Sequence, residues 1–186
     1  MEDYNIVKLF WDRSEEAINE TAHKYANYCY RIAHNILSNE EDSEECVNDT
    51  YLNTWNSIPS HRPEHLSTYL GKITRNLAIN RYKKRNSAKR GGGSLTYILD
   101  ELNECLPSDG CVEDKVEEEF IKEIINHFLY TLPKEECNLF LRRYWYADSI
   151  IVISEKYSLS TSKVKSMLYR TRKKLKKYLE KEDITI

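Results

Sequence analysis

The chain has 186 residues, of which 40% are hydrophobic and 31% are charged, and its formal net charge is −2. This balance is typical of a folded helical protein and excludes a largely disordered chain. Only five glycines and four prolines interrupt the sequence, too few for the many tight turns of an all-β protein. We therefore predict an all-α fold with two small helical domains joined by a flexible acidic linker.

The small net charge conceals a segregation of charge along the chain. Residues 72–90 include eight basic residues and no acid, and residues 163–181 include nine basic residues and one acid. Between these blocks, residues 100–123 include ten acids and two lysines. Two basic blocks separated by an acidic stretch indicate two contacts with a polyanion such as nucleic acid. Two solvated helix faces would give the same charge pattern, so charge alone does not distinguish them from nucleic-acid contacts, and sequence motifs are needed.

The five cysteines are scattered, form no CxxC pair and have no histidine at ligand spacing, so we expect no metal site and no cofactor. Cys29 and Cys46 lie on predicted buried helix faces. Cys105 and Cys111 lie in the predicted linker, where a regulatory disulfide is the alternative to two free thiols. No apolar run approaches the ~18 residues of a membrane span, and we find no signal peptide. We expect no membrane insertion and a cytoplasmic location.

Apolar residues at helical spacing predict three helices in the first domain, residues 1–88. They cover residues 5–37, 42–58 and 66–85, and two prolines bracket the loop before the third. Residues 89–112, which begin close to three consecutive glycines, are predicted to be the linker. The second domain, 113–186, is predicted to contain helices over 113–130, 133–146, 148–157 and 160–180. Residues 150–153 are β-branched and favour a strand by propensity, but their helical neighbours lead us to predict helix.

The last two predicted helices form a helix-turn-helix, in which Ser160 is placed to cap the second helix. At 100° per residue, one side of that helix is apolar and the opposite side is basic and rich in hydroxyls. The predicted buried residues are Val164, Leu168, Thr171, Leu175 and Tyr178. The residues predicted to contact DNA are Ser162, Lys165, Ser166, Tyr169, Arg170 and Lys173. Such a face suits the major groove, and the alternative is a lysine-rich surface helix.

The predicted helix 42–58 presents an outward face opposite a buried stripe. The buried residues are predicted to be Val47, Tyr51, Thr54 and Ile58. Leu52 is placed on the outward face among acids, which makes it a candidate for docking another protein, although a single exposed leucine is common.

The predicted helix 66–85 combines cations with aromatic rings. Its inward residues are predicted to be Leu66, Leu70, Ile73 and Leu77. Tyr69 and Tyr82 are predicted to add aromatic surface beside the basic residues of the other face. Unstacked bases of a single strand bind such surfaces by stacking and by neutralisation of the backbone. A basic solvent-exposed face is the alternative.

Three segments carry a resemblance to a known family: DSEECVNDTYLNTW at 42–55, TYLGKITRNLAIN at 68–80, and LPKEE at 132–136 followed by VKSMLYRTRKKL at 164–175. In this order and spacing they resemble the extracytoplasmic-function (ECF) sigma factors of the sigma-70 superfamily. The resemblance implies a sigma factor, not an enzyme, that binds RNA polymerase core and directs promoter-specific initiation, including promoter melting. A stand-alone helix-turn-helix transcription regulator is the alternative, but it would need an effector or dimerisation domain in the first half.

The resemblance also implies roles for individual residues. Those matching the helix that docks on polymerase are Glu45, Asn48, Asp49, Leu52, Asn53 and Trp55. Those matching the part that melts the minus-ten element and captures a flipped base are His61, Arg62, Lys72, Arg75, Asn76, Asn80 and Lys83. The six residues given above for the helix-turn-helix match the helix that recognises the minus-thirty-five element.

The implied partners are the beta-prime coiled coil and beta flap of RNA polymerase core, promoter DNA and an anti-sigma factor. The chain departs from the family at several positions. Asn80 replaces an aspartate, Tyr69 a tryptophan, and Ser158 the usual glycine of the turn, so Ser158 must carry any strained backbone there.

Overall fold

A computed structural model of the chain describes residues 1–86, 94–103 and 115–182. Across these ranges the backbone forms α-helices and no β-strand, which confirms the predicted all-α fold class. The chain divides into two compact units, Met1–Gly91 and Gly92–Ile186. In the ranges that the structure describes, no helix has both the length and the apolar character needed to cross a bilayer.

The first unit consists of α1 (Asp3–Trp11), α2 (Glu16–Leu37), α3 (Glu40–Ser57) and α4 (Leu66–Asn86). Helix α2 is central, because α1, α3 and α4 all pack against it, and α3 also packs against α4. Asn39 caps α3 by accepting a hydrogen bond from the Asp42 amide at 2.7 Å. The largest fully buried side chains of this core are Ile6, Phe10, Ile32, Ile36, Leu37, Ile58, Leu66 and Leu70.

The single helix predicted over residues 5–37 is wrong, because the structure has two helices separated by a turn. Arg13 adopts the left-handed conformation with φ 57°, and its amide donates to the Phe10 carbonyl, which ends α1. The Arg13 side chain donates to the Trp55 carbonyl at 2.7 Å and lies over the Trp55 ring. This contact with a distant residue stabilises the turn. The local hydrophobic pattern cannot predict it, because Trp55 lies 42 positions further along the chain.

The buried face of α3 is as predicted, whereas that of α4 differs along its second half. Leu66 and Leu70 are fully buried, but Ile73 and Leu77 are only half-buried. The buried positions are instead Thr74, Ala78 and Tyr82, so Tyr82 adds no aromatic surface. Small residues allow α4 to turn this face toward the core. Gly71 lies directly against the Tyr28 ring, and Thr74 contacts Thr50 of α3.

The second unit consists of α5 (Ser94–Asn103), α6 (Lys115–Thr131), α7 (Lys134–Tyr144), α8 (Ile150–Tyr157) and α9 (Thr161–Lys181). Helix α9 packs against α6, α7 and α8, while α5 packs against α7. The β-branched residues Ile150–Ile153 are helical, as predicted, because Ser149 caps α8 and Ile153 is fully buried. The four predicted helices of this unit are therefore present with bounds close to those expected.

Helix α5 lies within the residues predicted to be linker, and no helix was predicted there. Its Glu101 accepts hydrogen bonds from Arg143 and Tyr144 of α7, at 3.1–3.2 Å. Because these partners lie more than forty positions away along the chain, composition alone misses the contact. Cys105 and Cys111 fall outside the described residues, and the boundaries of the linker stay a prediction.

The turn between α8 and α9 contains the serine that replaces the family's glycine. Ser158 has φ 52° and ψ 40°, the left-handed conformation that L-residues disfavour. Two residues later Ser160 is the N-cap of α9, and its hydroxyl accepts a hydrogen bond from the Lys163 amide at 3.2 Å. Both features agree with the sequence analysis, which placed strain at Ser158 and a cap at Ser160.

We predict that Ser158→Gly stabilises the second unit by about 0.5–1 kcal/mol, because glycine has no Cβ to oppose the left-handed conformation. Urea unfolding followed through the indole N–H signal of Trp145 measures this unit. Ser158→Ala keeps the Cβ and should give no gain. A glycine variant no more stable than the serine protein would contradict the assignment of strain to this turn.

Candidate nucleic-acid interface

Helix α9 presents the expected polar face opposite its buried stripe. Val164, Leu168, Thr171 and Leu175 are buried, and Tyr178 is half-buried. All six residues predicted for DNA contact are exposed on the other side: Ser162, Lys165, Ser166, Tyr169, Arg170 and Lys173. The Tyr169 ring is half exposed, with the Lys173 ammonium 5.1 Å from its centroid.

Other cations of α9 are held within the second unit. Lys174 forms an ion pair with Glu136 of α7 at 2.7 Å. Arg172 lies 2.7 Å from the Tyr144 hydroxyl and 3.5 Å from the Glu101 carboxylate. Burial raises the pKa of Tyr144, so this hydroxyl stays neutral at physiological pH. These contacts fix the rotation of α9 and leave its DNA-contacting candidates pointing away from the core.

Helix α3 presents Leu52 with 57% of its surface exposed, next to the exposed side chains of Asn48 and Asn53. Trp55 differs from the other docking candidates. Its ring is half-buried, meets the Phe10 ring edge-on at 6.2 Å and lies beneath the Arg13 guanidinium. Trp55 therefore supports the core as well as the edge of this surface.

Two arginines of α4 bind the acids of α3. Arg81 forms ion pairs with Glu45, at 2.8 Å, and with Asp49. Arg85 forms an ion pair with Asp42 at 3.0 Å and donates to the Leu37 carbonyl. The hydrogen bond and the charge of Arg81 hold the pKa of Glu45 below its ordinary value. Two of the acids predicted to dock polymerase are thus ordered within the chain itself.

The exposed face of α4 brings together four of the residues predicted to bind the minus-ten element. Lys72, Asn76, Asn80 and Lys83 are exposed on this face. Arg75 is half-buried beside it, and burial lowers the pKa of its guanidinium, which still stays charged. His61 and Arg62 are exposed in the loop that precedes α4, outside the helical face.

The sequence-based predictions did not include the contacts of Arg81 and Arg85 with α3. A signal was present, because the two arginines are four positions apart and the acids Asp42, Glu45 and Asp49 recur every three or four positions. Acids on one helix can pair with cations on a neighbouring helix when both recur at the three- or four-residue spacing that places them on one helix face. The basic block of α4 therefore divides between ion pairs with α3 and exposed lysines.

The first unit is similar in sequence to known proteins. Residues 21–88, from within α2 to just beyond α4, match the family model for sigma-70 region 2. This segment is therefore similar to a sigma-70 region 2. Over 67 residues the chain is also 25% identical to the ECF RNA polymerase sigma factor SigE of Mycolicibacterium smegmatis. This alignment covers 36% of the present chain and 26% of that relative, so the chain spans about a quarter of the relative's length.

These two comparisons confirm the predicted resemblance to the ECF sigma factors of the sigma-70 superfamily. The matched segment contains both α3, with its exposed Leu52, and α4, with its exposed amides and lysines. The match ends before the second unit, so the role of α9 rests on its own geometry.

We predict that Arg81→Ala raises the pKa of Glu45 toward its ordinary value of about 4.5. A depressed carboxyl pKa contributes stability above the unfolded-state pKa and loses it as the pH falls through the folded-state pKa. The wild-type chain should therefore exceed Arg81→Ala in stability at neutral pH, and this difference should shrink below about pH 4.5.

An NMR titration of the Glu45 carboxyl, together with urea midpoints at neutral and acid pH, measures both effects. Arg85→Ala is the matched control, because Arg85 pairs with Asp42 and should leave the pKa of Glu45 unchanged. An unchanged pKa of Glu45 in Arg81→Ala would rule out the ion pair as its cause.

Proposed function

We propose that this chain is a sigma factor that binds RNA polymerase core and directs it to promoters. The region 2 match and the name of the relative support the general role. The observation that carries the proposal is a single region 2 with two chemically different exposed faces. One, on α3, is apolar and acidic, while the other, on α4, is basic and rich in amides.

The face of α3 suits a protein partner. An exposed leucine surrounded by asparagines and ordered carboxylates offers an apolar anchor with a polar rim, the arrangement typical of protein interfaces. In the proposed complex, Leu52 is the anchor, and Glu45, Asn48, Asp49 and Asn53 form the rim that contacts the beta-prime coiled coil. Because Arg81 already orders two of these acids, less side-chain entropy is lost on docking.

The face of α4 and the preceding loop suit a parted DNA strand. Asn76 and Asn80 carry amides that donate to and accept from base edges, while Lys72 and Lys83 neutralise phosphates. A pocket that binds an extruded base repays the few kcal/mol needed to unstack it. We propose that this surface, with His61 and Arg62, holds the minus-ten element open.

The exposed face of α9 suits duplex DNA. It follows α8 after a turn of three residues, and its N-terminal half carries hydroxyls and cations that reach base edges in the major groove. We propose that it recognises the minus-thirty-five element, with Arg170 as a base contact. An anti-sigma partner follows from the family alone. The proposal requires no catalytic group and no cofactor in this chain, since polymerase supplies the chemistry.

We predict that Leu52→Asp abolishes co-purification with core polymerase while the chain stays folded, because the change places a charge in the centre of the proposed interface. Pull-down on immobilised core enzyme measures binding, and circular dichroism measures folding. Tyr130→Asp, a change at an even more exposed residue of the other unit, should retain binding. Normal co-purification of Leu52→Asp would remove the docking assignment and favour a regulator that binds duplex DNA alone.

We predict that Arg170→Ala costs about 1–3 kcal/mol at one position of the minus-thirty-five element, because a bidentate contact to a base is lost. Competition among promoter variants for the reconstituted holoenzyme measures this. Lys177→Ala, at the exposed C-terminal part of α9, should weaken all promoters equally, as expected of a phosphate contact. Equal losses across all sequences for Arg170→Ala would reduce that residue to a phosphate contact.

A further inference from the structure

Helix α1 carries two exposed aromatic rings on one side. Tyr4 is 66% exposed and Trp11 is 47% exposed, and both lie outside the residues assigned above to DNA or polymerase. Seven positions separate them, about two helical turns, so they share a face with Lys8 between them. Tryptophan is highly buried on average, so an exposed tryptophan that shares a helix face with an exposed tyrosine and a cation is an informative feature.

The loop that precedes α4 approaches this face of α1. The Arg62 guanidinium lies 5.7 Å from the centroid of the Tyr4 ring and 5.8 Å from that of Trp11. A cavity of about 360 Å³ adjoins Tyr4 and Arg62, and its other lining residues are Asp3, Val7, Pro63 and Glu64. This volume is at the lower end of the ~300–1,000 Å³ typical of small-ligand pockets. The cavity therefore has room for one planar group of about the size of a nucleobase.

We propose that Tyr4, Trp11 and Arg62 form a stacking site for an unpaired base of single-stranded DNA, additional to the face of α4. The inference rests on the proposed function, because Arg62 belongs to the loop assigned to the parted strand. Base stacking on aromatic rings, with a guanidinium on the same rings, is the common mode of single-strand binding. Lys8 between the rings supplies a charge for the adjacent phosphate.

The acids of the cavity define which base it accepts. Asp3 is engaged by Lys24 at 2.7 Å and Tyr25 at 2.6 Å, which hold its pKa below the ordinary value and offset its charge. Glu64 is exposed and also lines the cavity. Its carboxylate accepts hydrogen bonds from the exocyclic amino groups of cytosine and adenine, which thymine lacks. The site should therefore prefer adenine or cytosine to thymine.

The test uses the full chain and short fluorescein-labelled homopolymers of deoxyadenosine, deoxycytidine and thymidine, with fluorescence anisotropy as the readout. Replacing both rings, Tyr4→Ala with Trp11→Ala, should weaken binding of the adenine strand by at least about tenfold. Tyr4→Phe retains the ring and should bind like the wild type. Glu64→Gln should reduce the preference for adenine over thymine. Thermal unfolding of each variant reports whether it is folded.

The outcomes separate this inference from the proposed function. If a folded double variant binds the strands like the wild type, while Asn76→Ala on α4 loses affinity, the stacking site is wrong and the proposed function stands. If the double variant loses core polymerase instead of DNA, the face is a protein contact and the inference is overturned. If the wild-type chain binds none of the strands, the inference also fails. Failure to bind core polymerase would by itself overturn the proposed function.

Discussion

A buried contact between two hydroxyls sets the orientation of the two helices that carry the proposed functions of the first unit. The side-chain oxygens of Thr50 in α3 and Thr74 in α4 lie 3.1 Å apart, and both residues are fully buried. Each hydroxyl also hydrogen-bonds a carbonyl of its own helix at 2.8 Å, so neither is left unsatisfied. Leu52 and Asn76 each follow a threonine by two positions, a rotation of about 200°. Burying the threonine pair therefore turns both of these residues outward.

The sequence predicted the faces of α3 and α9 because large apolar residues recur on them at helical spacing. It failed on the second half of α4, where Ile73 and Leu77 look like better core residues than Thr74 and Ala78. Thr74 and Ala78 are buried because small residues allow the helices to pack closely. Thr74 contacts Thr50 of α3, and Gly71 lets α4 approach Tyr28 of α2. The break before α2 was missed for a related reason: Arg13 is held by Trp55, and periodicity carries no information about distant partners.

Charge was the least predictable property, since segregation along the chain is not segregation in space. The acids of α5 and the cations of α7 and α9 meet at Glu101, which binds Arg143 and lies close to Arg172. In the first unit the same happens where Arg81 and Arg85 meet the acids of α3. Acidic and basic residues that are far apart in the sequence therefore form ion pairs within each unit. The basic surface that remains exposed therefore includes fewer residues than the basic blocks of the sequence.

This internal pairing changes how the two proposed DNA contacts depend on salt. On the amide-bearing face of α4 the exposed lysines are Lys72 and Lys83, whereas Arg81 is committed to α3. Plotted against the logarithm of the salt concentration, the logarithm of the binding constant falls with a slope of ~0.7 per neutralised phosphate for single strands and ~0.9 for duplex DNA. Because α9 exposes more cations on its proposed DNA-contacting face, we expect its binding to weaken faster as salt rises. We therefore expect the proposed contact with a parted strand to depend mainly on stacking and amide contacts, which salt screens little. The stacking site proposed at Tyr4, Trp11 and Arg62 is one source of such stacking.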